Sequence, residues 1–243
     1  LIVMSDDASC LIMRNCSITF NDGSTSSRIF DSNCATSIFD QCNFSRCGGI
    51  RMNSNRNDYL FQFTNNIVEN LSQDFISSSC LYADSGSIIF TDNFFSNVKY
   101  NELHYFISLI TSESIEVINN TFSNFSMSSD DNVGYYGAGT SSYFQASHVT
   151  FFNCSFIDIQ NSMFQSPYNN GGSLQCGFTS SDLNVQLDFE KCRFIRNKSE
   201  FGKGGAISIN ISQNVTITDC YFKDNKSYEE GGALYISGDF DQL

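Results

Sequence analysis

Residues 87–97 read SIIFTDNFFSN and residues 114–124 read SIEVINNTFSN, two versions of one phrase set 27 residues apart. In each, an Asn (Asn93, Asn120) follows an aromatic or β-branched run and precedes a Phe or Thr-Phe. Outward from this pair the phrase recurs as RNCSI, DQCNF and TNNIV on one side and FNCSF, EKCRF and TDCYF on the other. Cys16, Cys42, Asn66, Asn93, Asn120, Cys154, Cys192 and Cys220 therefore form one marker column, with intervals of 26, 24, 27, 27, 34, 38 and 28 residues. A period of this length belongs to a coil that returns to the same place once per turn.

Aligned on the marker, the buried positions align too. Three residues before it stand Met13, Phe39, Phe63, Phe90, Val117, Phe151, Phe189 and Ile217, all apolar. Five before it stand Leu11, Ser37, Phe61, Ile88, Ile115, Val149, Leu187 and Val215, and two after it Ile18, Phe44, Val68, Phe95, Phe122, Phe156, Phe194 and Phe222, with Ser37 the one exception. The position between the two upstream columns is mostly polar, and an alternation of period two is a β-strand. A further strand opens at GGIRM from Gly48, GGSLQ from Gly171, GGAIS from Gly204 and GGALY from Gly231, where paired glycines suit a tight corner with positive φ and close backbone approach. No stretch sustains a helical period. Strands stacked once per turn run parallel, and parallel crossovers are almost always right-handed. The sequence predicts an all-β fold, a right-handed parallel β-helix of about eight turns spanning residues 1–243 as one domain, roughly 40 Å long at ~4.8 Å per turn. Asn66, Asn93 and Asn120 are expected to stack as a hydrogen-bonded ladder at a corner, in a left-handed backbone conformation that Asn tolerates, with Cys as its small replacement.

Composition narrows the function. The net charge is −13, from 26 acidic and 13 basic residues, and no run of Lys or Arg offers a face to phosphates, so nucleic acid is not an expected partner. No apolar segment approaches the ~18 residues of a membrane span. Leu1 to Met4 is too short for a leader, and the expectation is a removed leader or a piece of a longer chain. The 10 cysteines show neither C-x-x-C nor Cys/His spacing for zinc. In-register neighbours sit about 4.8 Å apart, within disulfide reach, which makes Cys16 with Cys42, Cys192 with Cys220, and Cys10 with Cys34 the candidate pairs, free buried thiols being the alternative.

Acceptor triplets for N-glycosylation occur at Asn15, Asn43, Asn70, Asn119, Asn124, Asn153, Asn197, Asn210, Asn214 and Asn225. None of the ladder residues Asn66, Asn93 and Asn120 is an acceptor of such a triplet. Asn15, Asn119 and Asn153 directly precede the marker, where alternation points outward, and Asn70, Asn124, Asn197 and Asn225 fall four or five residues after it. N-linked glycans are the one attachment expected, with Asn15, Asn119, Asn153, Asn197 and Asn225 the leading acceptors; unmodified polar turns are the alternative. No cofactor or metal is expected.

The end of the chain carries a resemblance. Gly204-Gly205-Ala206-Ile207 and Gly231-Gly232-Ala233-Leu234, following Phe194-Ile-Arg-Asn197 and Phe222-Lys-Asp-Asn225, resemble the GGA[ILV] and FxxN repeats of the polymorphic outer-membrane protein (Pmp) family. More broadly, the chain is similar to right-handed β-helix proteins of the pectate-lyase-like class. The paired motif covers the final fifty residues or so and decays elsewhere to forms such as Phe94-Phe-Ser-Asn97. The resemblance implies cell-surface display and adhesion and supplies no catalytic residue. The triplets depart from the bacterial family, and the composition, with one Pro and no Trp, suits a protist relative.

Two function classes remain. The first is an extracellular or cell-surface structural or adhesive glycoprotein, non-catalytic, part of a stalk or filament. Its partners would be flanking domains or other copies at the open ends of the coil, and other surface glycoproteins or glycans. The second is a lyase or hydrolase of acidic polysaccharide, which needs clustered carboxylates and a base on one outward column. Asp188 and Glu190 beside Lys191 come nearest to that, solvated charge being the plainer reading, while His104 and His148 lie far apart in the repeat and suggest no dyad. The two long intervals predict loops over Ser126 to Ser142 and Gln165 to Ser181, with Tyr135, Tyr136, Tyr143 and Tyr168 as candidate ligand contacts or plain decoration.

Overall fold

The computed structural model describes residues 2–4, 10–19, 30–32, 35–46, 50–53, 60–73, 81–100, 107–111, 114–128, 142–162, 172–177, 186–210 and 214–237. Every strand pairing among them is parallel and joins one turn to the next, in three stacked sheets of nine, eight and eleven strands. Taking the sheets in the order the chain visits them, the turn around Asn93 contributes Leu81–Asp84 to the first, Ser87–Thr91 to the second and Phe94–Tyr100 to the third. The repeating phrase is thus two strands that meet at a bend, and each turn has three sides.

The register is the one the phrase implies. Phe63 pairs with Phe90, Phe90 with Val117, Val117 with Phe151 and Phe151 with Phe189, and the flanking columns follow in step. Between the first and last turns the apolar inward residues of the second and third sheets are sealed, Phe39, Phe63, Phe90, Phe122, Phe151 and Phe194 completely, while Met13, Ile217 and Phe222 on the end turns are partly buried. Full burial of each such ring contributes about 2–3 kcal/mol. Because the turns are in register the rings stack: Phe95, Phe122, Phe156, Phe194 and Phe222 form one pile with centroids 5.1, 4.8, 5.0 and 4.9 Å apart. Ser37, the exception in its column, is nonetheless buried.

The bend is built by two adjacent columns with different duties. The residue before the marker takes the left-handed conformation on every turn, φ lying between 52° and 57° at Asn15, Gln41, Asn65, Asp92, Asn119, Asn153, Lys191 and Asp219. The expectation that the marker itself would do so is corrected: the marker points inward, and the strained residue is its exposed neighbour. That neighbour's N–H donates to the next turn, as Asn65 to Thr91, Asp92 to Ile118 and Asn119 to Phe152. A second left-handed column follows four residues after the marker, at Arg46, Asn70, Asn97, Asn124, Asp158, Arg196 and Asp224. It turns the chain within the third sheet.

The marker column is a single hydrogen-bond device. Asn66, Asn93 and Asn120 are buried, and each Nδ2 donates to the carbonyl three residues before the preceding marker: Phe39, Phe63 and Phe90, at 3.0, 2.8 and 2.7 Å. Asn93 Oδ1 accepts from the Asn66 backbone N–H and from Asn66 Nδ2, and Asn120 Oδ1 does the same for Asn93. The cysteines aim at the equivalent carbonyl. Cys42 Sγ lies 3.5 Å from Met13 O, Cys154 3.1 Å from Val117 O, Cys192 3.4 Å from Phe151 O and Cys220 3.6 Å from Phe189 O. Cys10, Cys16, Cys42, Cys154, Cys192 and Cys220 are free thiols in this structure. The expected Cys16–Cys42 and Cys192–Cys220 bridges are therefore not formed here, each of Cys42, Cys192 and Cys220 pointing its sulfur at a carbonyl of the turn before. Cys10 pairs in register with Thr36, and Cys34 lies outside the described residues.

The glycine corners follow the sequence reading where they are described. Gly204 and Gly231 have φ of 70° and 68°. A Cβ on Gly205 would stand 2.1 Å from Gly232 O and 2.5 Å from Lys226 O, so the backbones of successive turns touch where only hydrogen fits. Register also holds across both long intervals, Ile118 pairing with Phe152 and Phe152 with Glu190. The expected loop limits need correction. Thr121–Ser128 and Ser142–Gln145 are strands, and Leu174–Gly177 interrupts the second interval, leaving the extra residues to segments outside the described set.

Candidate functional site

Alternation along the second sheet sends every other side chain to solvent, and on four successive turns the first two of these are polar. Ser114, His148, Gln186 and Asn214 form one outward row; Glu116, Thr150, Asp188 and Thr216 form the next. Within them His148 Nε2 lies 2.9 Å from Asp188 Oδ2 and 3.1 Å from Thr150 Oγ1, and Gln186 Nε2 donates to the same Asp188 oxygen at 2.8 Å. One strand position further, Lys191 Nζ reaches Glu190 at 2.8 Å and lies 4.9 Å from the centre of the Phe152 ring.

The sequence reading missed this His–Asp contact, having weighed His148 only against His104. The signal was available: His148 stands six residues before its marker and Asp188 four before the next, two adjacent columns on consecutive turns. Asp188 is drawn away from Glu190 and Lys191, which pair with each other. Chemically, a carboxylate bound to one ring nitrogen fixes the imidazole's orientation and tautomer, the arrangement of an oriented general base. The side chains of His148 and Asp188 are 43% and 24% exposed, so water screens the pair. Among the described residues no group of three or more His, Cys, Asp or Glu is placed to hold a metal ion.

The glycosylation acceptors divide sharply. Asn15, Asn70, Asn119, Asn124, Asn153 and Asn214 are exposed. Five of these six occupy the two left-handed columns, where Asn153 Nδ2 donates to Asn119 Oδ1 at 2.9 Å and Asn124 Nδ2 to Asn97 Oδ1 at 2.6 Å. Asn197 corrects the expectation of an outward acceptor. It is 0% exposed, its Nδ2 donates to Phe156 O at 3.0 Å, and its Oδ1 accepts from Ile159 N. Asn225 is half-buried, giving Nδ2 to Phe194 O and accepting from Asn197 N. The Asn of the FxxN motif thus builds a second inward ladder, in the column that Leu71, Val98, Phe125 and Ile159 occupy on earlier turns. Asn43 is half-buried, its Oδ1 enclosed without a hydrogen-bond partner among the described residues. Asn210 lies in the strand Ile207–Asn210.

Of the candidate ligand tyrosines, Tyr143 lies on the strand Ser142–Gln145, its backbone registered with Ser108 and Gln175. Tyr135, Tyr136 and Tyr168 lie outside the described residues, as does His104.

A family model described as right handed beta helix region matches residues 75–242. No curated protein and no solved structure matches the chain.

Proposed function

On the premise that the chain belongs to the right-handed β-helix family, we propose that it is an extracellular or cell-surface structural and adhesive glycoprotein, its coil serving as a rigid spacer rather than a catalyst. The fold alone does not decide this, since one scaffold hosts many functions. The carrying observation is the placement of the acceptor asparagines: six of the ten triplets put the acceptor Asn on the solvent side, five of them on the left-handed corners, while none of the marker-column asparagines Asn66, Asn93 and Asn120 is an acceptor. The Pmp-like GGA and FxxN motifs support an adhesive relative, and partners would meet the chain at the ends of the coil or through surface glycans.

Native material should lose mass on treatment with an N-glycosidase. Site mapping should find glycan at Asn119 or Asn153 and none at Asn197. An unshifted mass, or occupancy at Asn197, would count against the reading.

The His148–Asp188–Gln186 cluster favours a second reading, cleavage of an acidic polysaccharide. Incubation with polyuronates and Ca²⁺ decides between them. Release of unsaturated or reducing ends that is lost in His148→Ala, Asp188→Ala or Lys191→Ala would establish the enzyme; no release would leave the cluster as surface structure.

A further inference from the structure

We propose that the outward face of the third sheet over residues 193–200 and 221–228 is a docking surface for an anionic glycan bearing sulfate or carboxylate groups. Charge along this chain is segregated. Seven of the 13 cations fall within residues 191–226, beside three carboxylates, whereas the rest of the chain has six cations against 23 carboxylates, and no Lys or Arg lies between Lys99 and Lys191. The coil converts that stretch of sequence into a patch. Parallel register sets Arg193 beside Tyr221, Ile195 beside Lys223 and Lys198 beside Lys226. Every one of these except Ile195 is exposed.

Part of the positive charge is already engaged. Arg196 holds Asp158 through two hydrogen bonds of 2.6 Å, and Lys198 holds Glu200 at 2.5 Å. Arg193, Lys223 and Lys226 have no ion-pair partner among the described residues. On the outermost of the two turns the exposed side chains read Tyr221, Lys223, Asp224, Lys226 and Tyr228, with the two tyrosines 49% and 76% exposed and Asp224 at the bend acting on Arg196 of the turn before. Tyr228 N donates to Ser199 O, so the parallel pairing continues to that residue, and its two-residue spacing from Lys226 puts both on one side. Two exposed rings, Tyr228 backed by the Phe201 ring at 6.4 Å, with Lys223 and Lys226 between them suit a chain that alternates apolar sugar faces with anionic groups. They lie on both sides of the bend at Asp224, and charge complementarity steers such a ligand to this patch and away from the acidic remainder. The patch is on a different sheet from the His148 cluster. The choice of a glycan over a nucleic acid rests on the extracellular reading above.

The full chain would be titrated at low salt with four probes: a heparin-type sulfated oligosaccharide, an oligouronate, neutral dextran and an oligothymidylate. Saturable binding of either anionic glycan, weakened by NaCl, is expected, and whichever binds names the anion. Arg193→Ala/Lys223→Ala/Lys226→Ala should weaken it at least about tenfold, and Tyr228→Ala about threefold, with melting temperature unchanged. Hydrogen-exchange protection on binding should map to residues 193–200 and 221–228 in the unmodified chain, a readout independent of how the variants fold. The proposal is overturned if neither anionic glycan binds, if dextran binds as well, if the triple variant binds normally, or if the oligothymidylate binds as tightly. Glycan binding by a chain whose native mass shows no carbohydrate would remove the extracellular reading and leave the patch standing.

Discussion

At the scale of single residues, the marker slot requires a donor aimed at one carbonyl and rewards an acceptor in addition. Asn satisfies both requirements and Cys the first. The Asn120 backbone N–H accordingly faces the Cys154 sulfur where Asn66 and Asn93 each find a carboxamide oxygen. Cys154→Asn should extend the ladder by one turn, donating to Val117 O and accepting from Asn120. A gain of about 1 kcal/mol in unfolding free energy is expected, read by denaturant titration; a loss would mean that the slot on that turn is sized for sulfur. The thiols also fix an alkaline limit. Cys192 is held well above its ordinary value of 9.0, by its hydrogen bond with Cys154 and then by burial, and burial raises Cys42 and Cys220. A raised folded-state pKa stabilises the fold fully below the unfolded value and progressively less above it. Melting temperature should therefore fall as pH climbs past about 9, and fall less in Cys192→Ser, which keeps a donor that does not ionise in this range. Sequence made the column legible because size and spacing repeat. It did not reveal which of two adjacent positions carries the positive φ, because Asn is common at both, nor that Asn197 turns inward, since a polar residue in an apolar column reads as an exposed one until its carbonyl partner is seen.

At the scale of elements, each corner depends on the turn that follows it. Gly205 lies against Gly232 and Lys226, whereas among the described residues the equivalent Gly232 has only Asn225 O nearby, at 3.9 Å. Gly205→Ala should cost about 3 kcal/mol by forcing two backbones apart, and Gly232→Ala should be nearly neutral. Parallel thermal melts of the two variants check this, and equal losses would show that local backbone preference, not inter-turn contact, sets the glycine. The strands themselves were readable residue by residue, from Met13 against Phe39 to Phe189 against Ile217, because period-two alternation and a recurring marker over-determine the register. The division of the phrase into two strands was less visible. The bend is made by an exposed backbone conformation, and no change in hydropathy announces it. The His148–Asp188 contact was missed for a related reason: residues 40 apart in the chain become neighbours only after the longer intervals are folded out of the count.

At the scale of the whole molecule, the charge of −13 and a pI near 4.3 describe a self-repelling coil whose middle turns carry acid without base. Added salt screens charges more than about 10 Å apart. The melting temperature should rise between about 10 and 300 mM NaCl, measured by calorimetry at neutral pH, and a fall would show that the ion pairs of the last turns outweigh the repulsion. The two long intervals illustrate what the stack tolerates: seven to eleven extra residues leave the pairing of Ile118 with Phe152, and of Phe152 with Glu190, untouched. The converse operation is equally open. Asn66, Asn93 and Asn120 are separated by the same 27 residues, so excising residues 93–119 would seat Asp92 directly before Asn120 with every inward ring still facing inward. Reach in such a protein is a heritable quantity of its own: a storey can be copied or dropped by recombination, and the lineage can lengthen or shorten its molecule without redesigning a single contact.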